Sequence, residues 1–386
     1  MKKALLANCN YWGNSTFLVG SNHIARCLVE DGWQVGFVSA AISPLHLLGG
    51  LNKELKERIK LNLNGGIWYN NHLWAYVPMA LFTPKNCLGL KSKFVHDKYY
   101  KFTFPNVIQK VKEAGFGEVD LLCIDNVMQD FWIRHIKYRK SVFRITDKHT
   151  GFSNINDEAI LEKERSFAKN VDYVAYTAKS LKNYVDFLSP KSAIYMPNSV
   201  NFSHFHCNNY KVPEDLLSIP RPIAIYVGAI SEWFDYKLLR EAAIRMPNIS
   251  FVLIGPDNIA KKNLNKISNV YILGRKNYID IPQYLYSADV GIIPFNVKDY
   301  GELVHGVNPL KLYEYMACGL PVIAAKWQAI EQIDSPAFLY DNINEFIKNL
   351  QRGINEKTMR KKIYIDFAKK HDWKEMVGEF LREIGL

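Results

Sequence analysis

The chain has 386 residues, of which 48% are hydrophobic, 23% charged and 13% aromatic, and its formal net charge is +11. This is enough apolar area for about two or three packed domains of roughly 100–200 residues, which excludes a chain disordered throughout. No apolar run approaches the ~20 residues of a membrane-spanning helix, and the six cysteines (Cys9, Cys27, Cys87, Cys123, Cys207, Cys318) form no CxxC pair, which argues for reduced thiols and against a zinc knuckle.

In chain order, KKALLANCN reads as a strand. It also starts like a signal peptide, but Asn8, Asn10 and Asn14 interrupt the apolar stretch too soon, so the expectation is a protein kept in the cytoplasm. SNHIARCLVEDG reads as a helix that stops at Gly32, with His23 near its start, and WQVGFVSA as the next strand. Residues 67–104 then carry ten aromatics, among them Trp68 and Trp74. Between Phe82 and Lys112 there are seven lysines, including Lys91, Lys93, Lys98 and Lys101, against one acid, Asp97. Amphipathic rings interleaved with lysines suit an anionic lipid surface. The same ingredients suit single-stranded nucleic acid, and a partly buried loop with solvated lysines also has them.

VDLLCID, SVFRIT, VDYVAYT and AIYMPN follow, each a short β-rich run closed by a polar turn, and Asp147 comes directly after SVFRIT. A Pro-spaced stretch, SHFHCNNYKVPEDLLSIPRP, precedes a second series: IAIYVGA, SFVLIGP, NVYILG, VGIIPF and PVIAA. Strands separated by helical stretches imply parallel βαβ units. The expected fold is therefore α/β: two Rossmann-like doubly wound domains facing across a cleft, residues 1–203 and 204–371, with a last helix over 372–386 packing back on the first. Ligands of such sheets sit at the carboxyl ends of the strands. Charge divides unevenly, with 26 Lys+Arg against 17 Asp+Glu in residues 1–200 (+9) and 23 against 21 in residues 201–386 (+2). The first domain should therefore meet an anionic partner.

DxD, HExxH, GxSxG, GxGxxG and the P-loop pattern are all missing, which removes the simplest metalloprotease, serine hydrolase, dinucleotide and P-loop readings. The richest constellation is NPLKLYEYMACGLPVIA. Asn308 suits an N-cap and Pro309 the first turn of a helix, whose free N–H groups and dipole favour an anion before them. Leu310 and Lys311 follow in that turn, and Lys311 adds a full charge suited to a diphosphate. Glu314, three residues on and on the same face, suits the hydroxyls of a ribose. A capped helix with a solvated Lys/Glu pair explains the same residues without a ligand. Gly228, Gly255 and Gly274 each end a strand of the second series, where glycine lets backbone approach a ligand closely, and Arg275 follows the third.

These segments resemble the GT-B glycosyltransferases, and among them bacterial cell-surface polysaccharide enzymes of the teichuronic-acid type and the xanthan-type glucuronosyltransferase. The resemblance is dense over residues 223–325, through SEWFD, FVLIGP, LGR, ADV, IPF and NPLKLYEYMACGLPV, and continues through RITDKHTGF, VDYVAYTAKSL and MPNSVNFSHF. It implies that Lys311 takes the diphosphate and Glu314 the ribose of a nucleotide sugar, with UDP as the nucleotide, and that Gly274 and Arg275 lie beside the base. Retaining relatives commonly carry two glutamates separated by seven residues, the first near the donor sugar; counting back from Glu314 lands on Gly306, and Glu302 is too far away to replace it, which favours an inverting displacement. That chemistry needs a general base, for which Asp147 and then His23 are the candidates, unless Asp147 only caps a turn or pairs with Arg144 or Lys148. The resemblance further implies a polyprenyl-diphosphate-linked glycan acceptor. The expected protein is thus a cytoplasmic transferase bound peripherally to the inner membrane face through Trp68, Trp74, Lys91, Lys93, Lys98 and Lys101, with neither metal nor cofactor and without nucleic acid. The competing readings are a retaining transferase or epimerase on the same fold, and a non-catalytic subunit that binds a polysaccharide complex or RNA.

Overall fold

A computed structural model describes residues 1–13, 18–85, 89–148, 157–207, 210–264 and 266–386. Asn14, Cys87, residues 149–152 of RITDKHTGF and residues 208–209 of the Pro-spaced stretch, all named above, lie outside them. The chain divides into two compact units. The first comprises Met1–Gly13, Val19–Pro197 and Val377–Leu386, and the second is built on Asn198–Met376.

In the first unit, β1 (Lys3–Asn8), β2 (Gln34–Ser39), β3 (Ile67–Tyr69), β4 (Leu73–Tyr76), β5 (Glu118–Ile124), β6 (Lys137–Ile145), β7 (Tyr173–Tyr176) and β8 (Ala193–Tyr195) form one sheet in the order β3-β4-β2-β1-β5-β6-β7-β8. All neighbours are parallel except β3 and β4. Continuous apolar runs such as LLAN and LLCI are buried on both faces by helices, as parallel strands require. The helix Gly20–Glu30 buries Ile24, Ala25 and Leu28 and is closed by Asp31, with Gly32 at φ +80°. The strand order turns at β1 and β5, so residues just past their carboxyl ends face a crevice within this unit.

In the second unit, β9 (Ile223–Val227), β10 (Ser250–Ile254), β11 (Val270–Gly274), β12 (Val290–Ile293), β13 (Val322–Ala325) and β14 (Phe338–Tyr340) form an all-parallel sheet in the order β11-β10-β9-β12-β13-β14. The switch in strand order falls between β9 and β12. The unit begins before residue 204 because residues just after Pro197 pack into it. Val200 pairs with Asp372, the Phe202 amide donates to the Asp372 carboxylate (3.1 Å), and His206 Nδ1 meets the Ala317 carbonyl (3.2 Å).

Candidate functional site

At the carboxyl edge of the second sheet, three glycines form a row across three adjacent strands. The Gly228 amide donates to the Ile254 carbonyl (3.0 Å), and the Gly255 amide to the Gly274 carbonyl (3.0 Å). A Cβ on Gly255 would stand 2.0 Å from the Gly228 carbonyl oxygen, so no other residue fits there without moving backbone. Gly274 takes φ +68°, the left-handed region that glycine enters freely. The row leaves bare backbone where a ligand of a doubly wound sheet rests.

The helix Leu310–Ala317 is held against this edge by its second turn. Tyr315 is fully buried; its hydroxyl accepts from the Val227 amide (2.7 Å) and donates to the Val227 carbonyl (3.3 Å). Its ring lies over Gly291 of β12, where a Cβ would stand 2.2 Å from the ring. The helix therefore packs on the end of β9 and on β12 at once, beside the switch point. The sequence placed Asn308 at the N-cap. Instead Pro309 occupies that position (φ −83°, ψ 117°) and supplies no side-chain acceptor, while the buried Asn308 carbonyl accepts from Asn198 Nδ2 (2.8 Å). No side chain among the described residues caps the helix entry, where the Leu312 amide donates to the Pro309 carbonyl (3.1 Å) and the amides before it suit an anion.

Lys311, in that first turn, is half-buried. Its Nζ lies 5.3 Å from the ring centroid of Tyr226 and 5.1 Å from that of Phe295. Gly228 makes room for it, since a Cβ there would stand 2.9 Å from Lys311 Cε. The ammonium is thus held among aromatic faces rather than against a carboxylate, and burial pushes its pKa down to about 8, with Glu314 opposing. Glu314, one turn on, is pushed up to about 7 by burial, with Lys311 opposing. Phe295 is set by an antiparallel bridge to Phe234, flanked by amides of Asp235 and Asn296 bonded to Pro294 and Trp233 (both 2.8 Å). The acid of SEWFD, Asp235, caps the helix Tyr236–Arg245 by accepting from the Leu238 amide (2.9 Å). Arg275 is exposed just past β11, and its charge helps to hold the Asp257 carboxyl low, after the larger effect of Lys261. The structure thus gathers Gly228, Gly255, Gly274, Lys311 and Glu314 at one edge. Tyr226 and Phe295 were not foreseen; their signal was an aromatic two residues before Gly228 and another closing GIIPF.

In the first unit, Asp147 lies two residues beyond β6 and is half-buried. The backbone before it is fixed: the Thr177 amide donates to the Ile145 carbonyl (3.2 Å) and the Thr177 hydroxyl to the Thr146 carbonyl (3.0 Å). Arg144 pairs with Asp125 (3.3 Å), an acid the sequence reading passed over although it too follows an apolar strand. Burial raises the Asp125 pKa against the pull of Arg144, Ser21 and Cys123. His23 is buried in the helix Gly20–Glu30. Trp74 is 2% exposed, stacked on Tyr76 and Phe116 within β4, so it cannot reach a membrane or an acceptor, contrary to expectation. Trp68 and the four lysines 91, 93, 98 and 101 are exposed.

Comparison with known proteins follows this division. Residues 6–177 match the family described as the N-terminal domain of glucuronosyltransferase GumK, and residues 221–356 match glycosyl transferases group 1. A Bacillus subtilis protein assigned to teichuronic acid biosynthesis as the glycosyltransferase TuaH is 22% identical over 272 residues, which is 67% of this chain and 65% of that protein. Among solved structures, sucrose-phosphate synthase from Thermosynechococcus elongatus superposes with a TM-score of 0.72 at 16% identity over 100% of this chain and 99% of that one. Anabaena HepE, solved in complex with UDP, superposes with a TM-score of 0.64 at 15% identity over the whole of both chains. One glycosyltransferase family is thus matched within each unit, over residues 6–177 and 221–356, and the chain shares the GT-B fold of these solved structures.

Proposed function

We propose that this protein transfers a sugar from a UDP-sugar to a lipid-linked oligosaccharide acceptor at an anionic membrane surface, with inversion and without a metal. The observation that carries the donor half is the Lys311 ammonium, held between Tyr226 and Phe295 beside the row of glycines, with no carboxylate among the described residues in an ion pair with it. A half-buried cation among aromatic faces, at an uncapped helix start, is completed by an anion. A diphosphate supplies one, and Glu314 then faces the ribose. The nucleotide is taken as UDP because HepE was solved with UDP and with UDP-glucose.

In the transfer, the acceptor hydroxyl oxygen attacks the anomeric carbon from the face opposite the diphosphate. The bond from that carbon to the phosphate oxygen breaks, and its electron pair leaves with UDP. Lys311, Arg275 and the helix N-terminus meet the charge that develops there. Asp147 accepts the proton of the attacking hydroxyl. Gly306, where a retaining relative carries its first glutamate, offers no carboxylate for the alternative course. The sequence has no DxD pair to hold a metal on the diphosphate.

A thermal-shift screen against UDP, GDP, CMP and ADP and their sugars tests the donor half. Ligand at 1,000-fold over its dissociation constant stabilises by about 4 kcal/mol, an evident rise in melting temperature. A shift with UDP and its sugars supports the reading, and a shift with none of them removes it.

A further inference from the structure

Charged side chains that the proposed transfer does not use meet at a cavity of about 450 Å³ in the first unit. Its walls come from the helix Lys93–Lys98, the segment that leaves the carboxyl end of β5, and the helix Asp157–Asn170, which follows Asp147 in the chain. The segment after β5 is tied back to β1: Gln129 Nε2 donates to the Asn8 carbonyl (2.9 Å), and Trp132 Nε1 donates to Gln129 Oε1 (3.0 Å). Ala159, Glu162, Lys163 and Ser166 line the cavity with the spacing of one helix face. Tyr100 adds an aromatic wall, stacked on Phe131 with centroids 4.2 Å apart.

Lys163 organises the charge. Its side chain is 8% exposed, and its ammonium lies 2.9 Å from the Asp97 carboxylate and 2.9 Å from that of Asp130. Arg134 also pairs with Asp130 (3.5 Å). An ammonium donates three hydrogen bonds, and among the described residues only these two acids engage Lys163. The Asp97 side chain keeps 36% of its surface exposed, so its carboxylate has lone pairs to offer. Glu162 brings the acids of the lining to three, and Lys93 and Lys98 bring the cations to four. A phosphate would meet three carboxylates, two of which already neutralise Lys163 and Arg134. An acyl chain would strand every one of these charges. A sugar ring satisfies them, because each hydroxyl accepts from an ammonium while donating to a carboxylate, and neighbouring hydroxyls suit a row of carboxylate, ammonium and carboxylate. We infer that this cavity holds a neutral, hydroxylated sugar residue of the acceptor glycan, one that does not itself react, and so selects the acceptor by its composition. The inference rests on the proposed transfer to an oligosaccharide acceptor.

The test is saturation-transfer NMR of the full chain with the methyl glycosides of glucose, galactose, mannose and N-acetylglucosamine, alongside a UDP melting shift on every sample. At least one glycoside should show saturation in the parent. Ser166→Phe fills the cavity from an exposed helix position and removes no charge, so it should abolish that signal. Asp97→Asn keeps the shape and removes one charged acceptor, so it should weaken the glycoside about tenfold. Both variants should keep the parental UDP shift, which shows that they fold. If no glycoside gives a signal, or if Ser166→Phe leaves the signal unchanged, the cavity is not a sugar site and the inference fails; a UDP shift in the same samples leaves the transferase reading standing. Inorganic phosphate whose phosphorus resonance broadens on the parent but not on Ser166→Phe makes the cavity an anion site and overturns the inference as well. Saturation as expected with no UDP shift in the parent sinks the transferase reading, and the acceptor role with it, and leaves the sugar site standing.

Discussion

Gly228 and Lys311 occupy a single space: a Cβ on the glycine would stand 2.9 Å from Cε of the lysine and 3.2 Å from its Nζ. The end of β9 is thus bare so that a side chain from a helix more than eighty residues later can lie against it. Gly228→Ala should push the ammonium off its position between Tyr226 and Phe295. A loss of about tenfold in UDP affinity, corresponding to ~1.4 kcal/mol, is expected together with a lower melting temperature of the free protein, because Gly228 holds φ +156°, which strains a residue with a Cβ. Calorimetric titration reads it, and unchanged affinity would separate the glycine from the site.

The two charged side chains of the helix set a pH window for nucleotide binding. Lys311 binds a diphosphate as the ammonium, and burial has lowered its pKa in the free protein to about 8, so affinity should fall as pH rises above 8. Glu314 accepts ribose hydroxyls best as the carboxylate, and burial has raised its pKa to about 7, so affinity should also fall as pH drops below 7. UDP affinity measured from pH 5.5 to 9.5 should therefore peak near 7–8. Lys311→Arg should remove the alkaline limb and Glu314→Gln the acid limb. A flat profile in the parent would contradict both assignments.

Tyr315 links the helix to β9 through two hydrogen bonds to Val227. Tyr315→Phe leaves the buried Val227 amide without its acceptor, at a cost of about 1–3 kcal/mol. The helix start should then lose its register against Gly228, so UDP affinity should fall together with stability. Chemical denaturation and titration of the same sample check the pair.

Two acids in the first unit follow apolar strands, and they should behave differently. Asp147→Asn should lower the transfer rate by ~100–10,000-fold while the donor still binds, because the substitution keeps shape and removes basicity. Asp125→Asn should chiefly destabilise the fold, because it removes a carboxylate paired with the buried Arg144; breaking a buried pair costs about 3–5 kcal/mol. Rate assays beside denaturation curves distinguish them, and a near-parental rate in Asp147→Asn moves the base to another residue.

The strand series was legible because parallel strands are covered on both faces and read as unbroken apolar runs, as LLAN and FVLI do. NPLKLYEYMACGLP was legible because proline, lysine, glutamate and glycine stand at spacings that mean something along a helix. The partners that make Lys311 unusual were not legible. Tyr226 and Phe295 lie 85 and 16 residues before it, and only the sheet order places them around its ammonium. Asn308 was misread as a cap because its type suits one, whereas the helix begins one residue later and Asn308 spends its carbonyl on Asn198. The aromatic, basic stretch was legible as composition only. Which rings face outward depends on the Ala80–Thr103 pairing, and Trp74, rich in lipid-interface character as a residue type, is a strand residue of the core.

Calorimetric titration of UDP into the parent protein and into Lys311→Met tests the central claim most directly. The substitution keeps most of the apolar stem among Tyr226 and Phe295 and removes only the charge. The account predicts measurable binding in the parent and a loss of about 10- to 150-fold in Lys311→Met, since a charge-assisted contact to a phosphate is worth roughly 1.5–3 kcal/mol and the helix start alone must then hold the diphosphate. Equal affinity in the two proteins would contradict it.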